Sequence, residues 1–305
     1  MPPTDGRARL LLVVGKGGVG RSTVAAALAR RAGRRGERVL AVDATSAGGL
    51  ALALGVDGPP GVMVDVGVPA PGVTLLELDT EAALEEYVRL NLRFPIPTRH
   101  LGPIARIFEF VATAAPAVRE ILTIGKIGHE VRRGPWDLVV VDTPASGHVI
   151  ELLAAPDALG ELIGIGPLAA ETAWLSALMA DGTATSAVVV TLAEELPVNE
   201  TLQLVERLGA RTGVRVGGVV VNRRAPAIDP AGLREASELD PTAPAGLLAA
   251  TVVARAAAEG EQRARLAPFH PRIVDVEDDP DDPVGAVERA LDHGGWEPAA
   301  AEAGS

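Results

Sequence analysis

The residues of this chain that most clearly could do chemistry form a glycine-rich segment between Gly15 and Thr23. Successive backbone N–H groups of such a turn form an anion-binding concavity, and a helix that begins there adds its positive end. Gly15, Gly20 and Ser22 stand where the pattern G-x-x-x-x-G-K-[ST] requires them, and Ser22 would be a hydroxyl ligand for magnesium. An ordinary glycine-rich turn explains neither the spacing nor the serine. The segment is therefore predicted to hold a triphosphate.

The elements on either side of this segment are the ones that must position it. An apolar run over 10–14 is typical of a buried strand, and an alanine-rich helical pattern begins at Val24 and continues to about residue 35. A second buried strand over 39–43 follows, which predicts a parallel pair joined by a right-handed crossover. Position 21 is arginine where the pattern has lysine, and an additional lysine stands at position 16.

Two further polar residues follow later apolar runs. Asp142 ends the run over 138–141, and a carboxylate at the end of a central parallel strand lies beside the phosphate crevice, where it can hold a magnesium-bound water. Alone it would be interpreted as a helix cap, but the glycine loop favours the metal role. Residues 143–148 are then predicted to be a loop that senses the γ-phosphate, with Gly147 allowing it to move. Asn222 ends the run over 215–221, and its amide can both donate and accept, the pairing that reads an adenine edge. From the residues alone it is interpreted as a turn residue.

The alternation of apolar runs with helical patterns predicts an α/β fold with a mostly parallel central sheet flanked by helices. About fifty residues between the strands are helical, which predicts a helical subdomain formed by about 80–133 and 156–182. We interpret its apolar positions as core more readily than as a client groove. The 305-residue chain is long enough for one large domain, here predicted over 1–295, with a disordered tail over 296–305.

Composition excludes several classes of function. The net charge of −12 argues against nucleic acid or an anionic membrane as a partner. There is no cysteine, so disulfides and thiolate metal sites are excluded. The lack of a signal peptide favours a cytoplasmic protein. No apolar run predicts a membrane span, and the five histidines show no metal-ligand spacing.

Taken together, these motifs resemble those of the ArsA and guided-entry (GET) ATPases, in a bacterial, actinobacterial-type branch. Four stretches carry the resemblance, 15–23, 141–148, 192–201 and 219–222, and it extends over nearly the whole chain. It implies a deviant P-loop NTPase, ATP and Mg²⁺ as cofactors, a nucleotide-sandwich dimer, and helical surfaces that take a client such as a tail-anchored membrane segment. The implied nucleotide-binding residues are Gly15, Lys16, Gly17, Gly18, Val19, Gly20, Arg21, Ser22, Thr23 and Asn222, with Ser22 and Asp142 holding the metal.

The resemblance also implies catalytic roles. Lys16 is implied to reach across the dimer to the phosphates held by the other subunit, with Asp142 at the metal. In this class the loop after the second strand carries an acidic residue that directs the attacking water, usually the last member of an Asp-x-Asp or Thr-Asp pattern. Here it reads Asp43-Ala44-Thr45, so the second carboxylate is replaced by Thr45. Arginine at position 21 keeps the charge but not the shape of lysine.

These departures weaken hydrolysis more than binding, because phosphoryl transfer depends on positioning and on stabilising the transition state. The chain also lacks the cysteines of the zinc-bridged dimer and of arsenite binding, and its three methionines do not predict a Met-rich client groove. The leading hypothesis is an ATP-binding subunit, weak or inactive alone, that pairs with a paralogue or a second copy. A fully active homodimeric ATPase and a scaffold or chaperone in which ATP only sets dimer geometry stay open. A ParA- or MinD-type partitioning ATPase is disfavoured, because the acidic tail offers no basic surface or membrane helix.

Overall fold

The computed structural model of the chain describes residues 8–45, 47–83, 116–162, 167–226, 230–240, 242–267, 272–294 and residue 296. Within them, eight strands form one sheet in the spatial order β3-β4-β2-β5-β1-β6-β7-β8. Neighbouring strands are parallel, except that β3 runs antiparallel to β4. The strands are β1 (Arg9–Gly15), β2 (Val39–Asp43), β3 (Met63–Asp65), β4 (Val73–Glu77), β5 (Leu138–Asp142), β6 (Thr185–Leu192), β7 (Val216–Arg224) and β8 (Ile273–Glu277).

Helices cover both faces of the sheet, as a largely parallel sheet requires. They are α1 (Arg21–Arg34), α2 (Gly49–Leu54), α3 (Pro116–Arg133), α4 (Ser146–Leu162), α5 (Pro167–Ala180), α6 (Glu195–Thr212), α7 (Pro230–Glu238), α8 (Pro244–Leu266) and α9 (Pro283–His293). Helices α1, α2 and α9 pack on one face, and α3 to α6 with the end of α8 pack on the other. The predicted mostly parallel α/β fold is confirmed.

The central strand β1 shows how the sequence builds two cores. Successive strand residues point to opposite faces, so Leu10 and Leu12 join one apolar layer while Leu11 and Val13 join the other. All four side chains are at most 1% exposed. The chain forms β2 to β5 on one side of β1 before it forms β6 to β8 on the other side. The carboxyl end of β1 therefore lies where the strand order reverses, at the crevice in which α/β sheets bind ligands.

Some elements differ from the sequence-based expectation. The pattern over 59–71 predicts a surface loop, but this segment contains the edge strand β3, and the short helix α2 has no predicted counterpart. Both elements are too short, at three and six residues, to produce a periodic pattern. Trp296 falls within the predicted disordered tail, yet it is 3% exposed and packs into the core at β7, where its ring lies against Gly218.

The predicted helical subdomain is described only in part. Helices α3, α4 and α5 fall within it, and Ile127 on α3 is buried in the core. Residues 84–115, which hold most of its remaining predicted helices, lie outside the described residues.

Candidate nucleotide-binding site

The glycine-rich segment joins the carboxyl end of β1 to the first turn of α1. Gly20 precedes the helix with a φ of 95°, in the left-handed region that favours glycine. It has no side chain to cap α1, and the first turn of the helix has no acidic residue. The helix start therefore keeps its backbone donors and its positive end for an external anion. The loop and this first turn contain Gly15, Lys16, Gly17, Gly18, Val19, Gly20, Arg21, Ser22 and Thr23.

The loop is anchored at one end and open along its middle. A Cβ atom placed on Gly15 would lie 2.3 Å from the carbonyl oxygen of Val190 in β6, so only glycine fits where the strand ends. A Cβ atom on Gly17 or Gly18 would meet nothing within 4 Å. The middle of the loop thus borders free space into which a group bound by its backbone would fit.

Ser22 and Asp142, the two predicted metal ligands, are in direct contact. The Ser22 hydroxyl donates a hydrogen bond to Oδ2 of Asp142 at 2.5 Å. Asp142 is the last residue of β5, and the parallel register places it opposite Val13 of β1 and Asp43 of β2. Both aspartates are fully buried. Two carboxylates on adjacent strand ends therefore border the loop.

Each of these buried carboxylates has one oxygen without a hydrogen-bond partner in the described part of the chain, namely Oδ2 of Asp43 and Oδ1 of Asp142. The other oxygen of Asp43 accepts from the Thr45 backbone N–H at 2.8 Å and from its hydroxyl at 2.5 Å. Thr45 thus holds the Asp43 carboxylate through a local turn. Unpaired buried carboxylate oxygens are costly, and they are the ligands that hard cations such as Mg²⁺ take.

Burial raises the pKa of Asp142 to about 6. The hydrogen bond from Ser22 and the positive charge of Arg21 act to lower this pKa, while the negative charge of Asp43 adds to the rise. Removal of the carboxyl group from water is the largest of these effects. The site therefore holds a carboxylate that is poorly solvated in the absence of a cation.

Arg21 connects the loop to the segment that follows β5. Its Nη1 donates to the backbone carbonyl of Thr143, a fully buried residue whose own hydroxyl donates to the carbonyl of Val13 at 2.9 Å. Burial lowers the pKa of Arg21, and the charges of Asp142 and Asp43 oppose that effect. A guanidinium stays protonated in proteins, so this cation sits between the loop and two acidic strand ends.

The segment after Asp142 differs from the prediction, which gives a loop over 143–148 with Gly147 as its flexible point. Helix α4 begins at Ser146, and the backbone N–H groups of His148 and Val149 both donate to the Ala145 carbonyl. Gly147 therefore lies in the first helical turn, and only 143–145 form the loop. Glycine is compatible with a helix start, so its presence does not mark a loop.

Lys16 is engaged within its own chain. Its ammonium group lies 2.8 Å from Oε1 of Glu200 on α6, and both side chains are about one third exposed, at 30% and 34%. The resemblance implies a contact of Lys16 with a second subunit and gives no role to Glu200. Glu200 lies within the stretch 192–201 that carries the resemblance, but nothing in its spacing points to Lys16.

Asn222 lies at the loop, in the last part of β7. Its Nδ2 donates to the carbonyl of Val19 at 2.9 Å, and the residue is 5% exposed. A Cβ atom on Gly20 would lie 2.3 Å from the same nitrogen, so a side chain there would exclude the amide. The described contact of Asn222 is thus structural, and its role toward adenine stays a prediction.

A third carboxylate, which the sequence does not single out, lies in the same row. Glu77 ends β4 and stands opposite Asp43 of β2 in the parallel register. Partial burial raises the pKa of Glu77, and the charges of Asp43 and Asp57 raise it further. No group of three or more His, Asp or Glu side chains in the described part of the chain could itself hold a metal ion.

Three features define this protein as a P-loop NTPase. They are a mostly parallel sheet, a glycine loop that joins its central strand to an uncapped helix, and an aspartate at the end of a neighbouring strand that accepts a hydrogen bond from the loop serine. Comparison with known proteins places it further: the chain belongs to the anion-transporting ATPase (ArsA) family, whose model matches residues 8–169. The resemblance seen in the sequence is thus confirmed.

Individual relatives agree with this family. ATPase BagA of Mycobacterium tuberculosis is 36% identical over 256 residues, which cover 80% of this chain and 74% of that protein. ATPase GET3B of Arabidopsis thaliana is 29% identical over 167 residues, 49% of this chain and 40% of that protein. The arsenical pump-driving ATPase of Escherichia coli is 29% identical over 161 residues, 52% of this chain and 27% of that protein. Among the helices of the described residues, none is long and apolar enough to cross a membrane.

Proposed function

We propose that this protein binds ATP with Mg²⁺ and hydrolyses it slowly on its own, and that a second copy or a paralogous subunit completes its site. The observation that carries the proposal is the Ser22–Asp142 contact at an uncapped helix start, with one unpaired oxygen on each of Asp43 and Asp142. These features fit an anion on the backbone and a cation on the side chains.

The residues present suit the metal-bound nucleotide. Ser22 and Asp142 would hold Mg²⁺, which supplies charge neutralisation to the phosphates when it is bound. The backbone of 15–20 would hold the phosphates, and Asn222 would border the base. Asp43, whose orientation is fixed by the two bonds from Thr45, would orient the attacking water.

The low intrinsic rate is argued from two side chains. Arg21 is engaged with the Thr143 carbonyl, and its planar guanidinium cannot reproduce the compact ammonium of a P-loop lysine between two phosphates. Thr45 supplies hydrogen bonds where a second carboxylate would act on water. Both changes alter the transition state more than the ground state, so they lower kcat more than they raise KM.

The proposed pairing uses Lys16, whose ammonium would contact phosphates held by the other subunit. A hydrophobic protein segment is the proposed client, on the strength of the resemblance to guided-entry ATPases. On helix α5, Leu175 and Met179 are buried in the protein's own core, whereas Trp174 is half-buried. Leu175 and Met179 therefore cannot contact a client in this conformation.

Equilibrium binding of a fluorescent ATP analogue tests the site. We expect binding that Mg²⁺ strengthens, and we expect Ser22→Ala to remove most of that Mg²⁺ effect, because the variant lacks the hydroxyl ligand. Ser176→Ala on α5 is the matched control and should bind normally. Binding that neither Mg²⁺ nor Ser22→Ala changes would contradict the assignment.

Steady-state turnover tests the proposed slow hydrolysis. We expect Arg21→Lys and Thr45→Asp each to raise kcat, with Arg35→Lys at the far end of α1 as a control without effect. Robust turnover by the unmodified homodimer would instead support a fully active ATPase. If ADP and a non-hydrolysable analogue support the same complexes as ATP, the scaffold hypothesis is favoured.

A further inference from the structure

The P-loop of this chain contains an ion pair that competes with its proposed mode of pairing. The Lys16 ammonium lies 2.8 Å from Glu200 of the same chain. This carboxylate competes for the ammonium with phosphates bound by another subunit, because it stabilises the positive charge on its own chain. Whatever holds Lys16 on its own chain therefore opposes the contact between subunits.

The position of Glu200 is fixed by the packing of α6. Val198 and Thr201, on either side of it, are 0% and 3% exposed. The neighbouring Asn199 accepts a hydrogen bond from Arg265 of α8 at 2.6 Å. Glu200 is thus presented to the P-loop by a helix anchored on two sides, while Lys16 belongs to a loop whose middle borders open space. Of the two partners, Lys16 is the one free to move.

The use of lysine at this position is unusual for this chain. Its 28 Lys and Arg residues include only two lysines, Lys16 and Lys126, and even the P-loop position 21 is arginine. A lysine ammonium is a compact charge on a flexible stem, whereas a guanidinium binds a carboxylate through a rigid fork. Lysine therefore suits a cation that must leave one anionic partner for another.

We infer that Glu200 is a positioning residue that holds Lys16 on its own subunit and so sets the threshold for pairing with a second copy of this chain around nucleotide. The inference rests on the proposed function, in which Lys16 acts across the dimer. Without nucleotide, Lys16 stays with Glu200 and the subunits separate. Phosphates bound by the other copy offer a stronger anionic partner and draw Lys16 away.

The size of the effect follows from the exposure of the pair. A pair exposed by about one third shifts an equilibrium by up to about fivefold. A two-fold symmetric dimer breaks two such pairs, so their removal should raise the association constant by up to about 25-fold. Salt screens the pair, so the gain should shrink at high ionic strength.

The first experiment probes the pair without nucleotide. Limiting reductive methylation followed by mass spectrometry gives the reactivity of Lys16 relative to Lys126, which pairs with Glu130 on α3 and serves as an internal reference. We expect Glu200→Gln to raise this ratio by about two- to fivefold, the range of an exposed pair. Glu206→Gln, an exposed change of equal charge on the same helix, should leave it unchanged. An unchanged ratio in Glu200→Gln would overturn the inference.

The second experiment measures self-association by sedimentation velocity with Mg²⁺ and a non-hydrolysable ATP analogue. We expect Glu200→Gln to dimerise at lower protein concentration than the unmodified chain, with convergence in high salt, and Lys16→Ala to dimerise poorly. Glu200→Ala is a second variant should Glu200→Gln fold poorly. If Lys16→Ala impairs dimers while both Glu200 variants match or weaken the unmodified chain, the inference fails and the proposed pairing stands. If Lys16→Ala dimerises normally, the pairing itself is wrong, and the inference fails with it.

Discussion

Asp142→Asn should make the nucleotide-free protein more stable at pH 8. Burial raises the pKa of the Asp142 carboxyl from 3.8 to about 6, so at pH 8 the folded state carries a charge that it solvates poorly. Because a tenfold change in proton affinity is worth about 1.36 kcal/mol, the penalty amounts to about 3 kcal/mol. Asparagine is nearly isosteric and its amide oxygen can still accept from Ser22. The substitution should therefore raise the free energy of unfolding at pH 8 by up to about 3 kcal/mol.

The pH dependence of this gain separates the charge from other effects. Because the folded pKa is raised, the folded state binds the proton more tightly, and stability is lost as pH rises from about 4 to about 6. Above that range the penalty is constant, and below about pH 4 both states are protonated and the advantage of asparagine vanishes. Urea unfolding of the metal-free protein at pH 4 and pH 8 measures the difference.

Asp137→Asn is a control for which the expected change in stability at pH 8 has the opposite sign. The hydrogen bond and charge of Arg38 lower its pKa, so Asp137→Asn should cost a little stability at pH 8, less than about 1 kcal/mol because the pair is exposed. A loss of stability in Asp142→Asn at pH 8, or an equal gain at both pH values, would refute the argument that charge burial governs this position.

Three further substitutions test the packing around the site. Gly20→Ala should lower stability by more than about 1 kcal/mol and weaken nucleotide binding, because the position has a φ of 95° and the new Cβ would lie 2.3 Å from Asn222. Gly36→Ala, at a position with a positive φ but open space, is the control, and in thermal melts Gly20→Ala should lose more stability than this control. Thr143→Val should cost about 1 kcal/mol in urea unfolding, because the Val13 carbonyl loses the hydroxyl donor at 2.9 Å and keeps only the Thr143 backbone N–H at 3.3 Å; equal stability would contradict that role. Glu259→Ala should cost about 1–2 kcal/mol, because the Ala225 backbone N–H loses its carboxylate acceptor at 2.9 Å while Arg224 keeps Asp275 at 3.6 Å; no loss would mean that water replaces the carboxylate.

Much of the fold follows from patterns that one stretch of sequence contains. The apolar run before Gly15 and the run before Asp142 are fully buried strands, and their ends meet because neighbouring parallel strands share an edge. The Ser22–Asp142 contact could therefore be inferred from the motif and the strand order alone. The edge strand β3 could not, because three residues carry no periodic signal and their pairing depends on β4.

The parts of the site that escaped sequence analysis depend on contacts distant in the chain. Lys16 and Glu200 are 184 residues apart, and the contact exists only because α6 follows β6 beside β1. Glu77 joins the acidic row only through the register of β4 against β2. At Gly147 the prediction of a flexible loop was wrong, because glycine is common in loops but here lies in the first turn of α4.

The burial of Trp296 has a practical consequence for experiments on this protein. Its indole ring packs against Gly218, the third residue of β7, so it lies near the amino end of the strands, at the opposite edge of the sheet from the P-loop. A strand of about six residues spans about 20 Å, which separates the ring from bound phosphates. Trp296 is therefore a built-in fluorophore for the integrity of the β7 edge. In a variant that keeps only Trp296, with phenylalanine at Trp136 and Trp174, its emission should report unfolding and stay constant when ligands fill the nucleotide site.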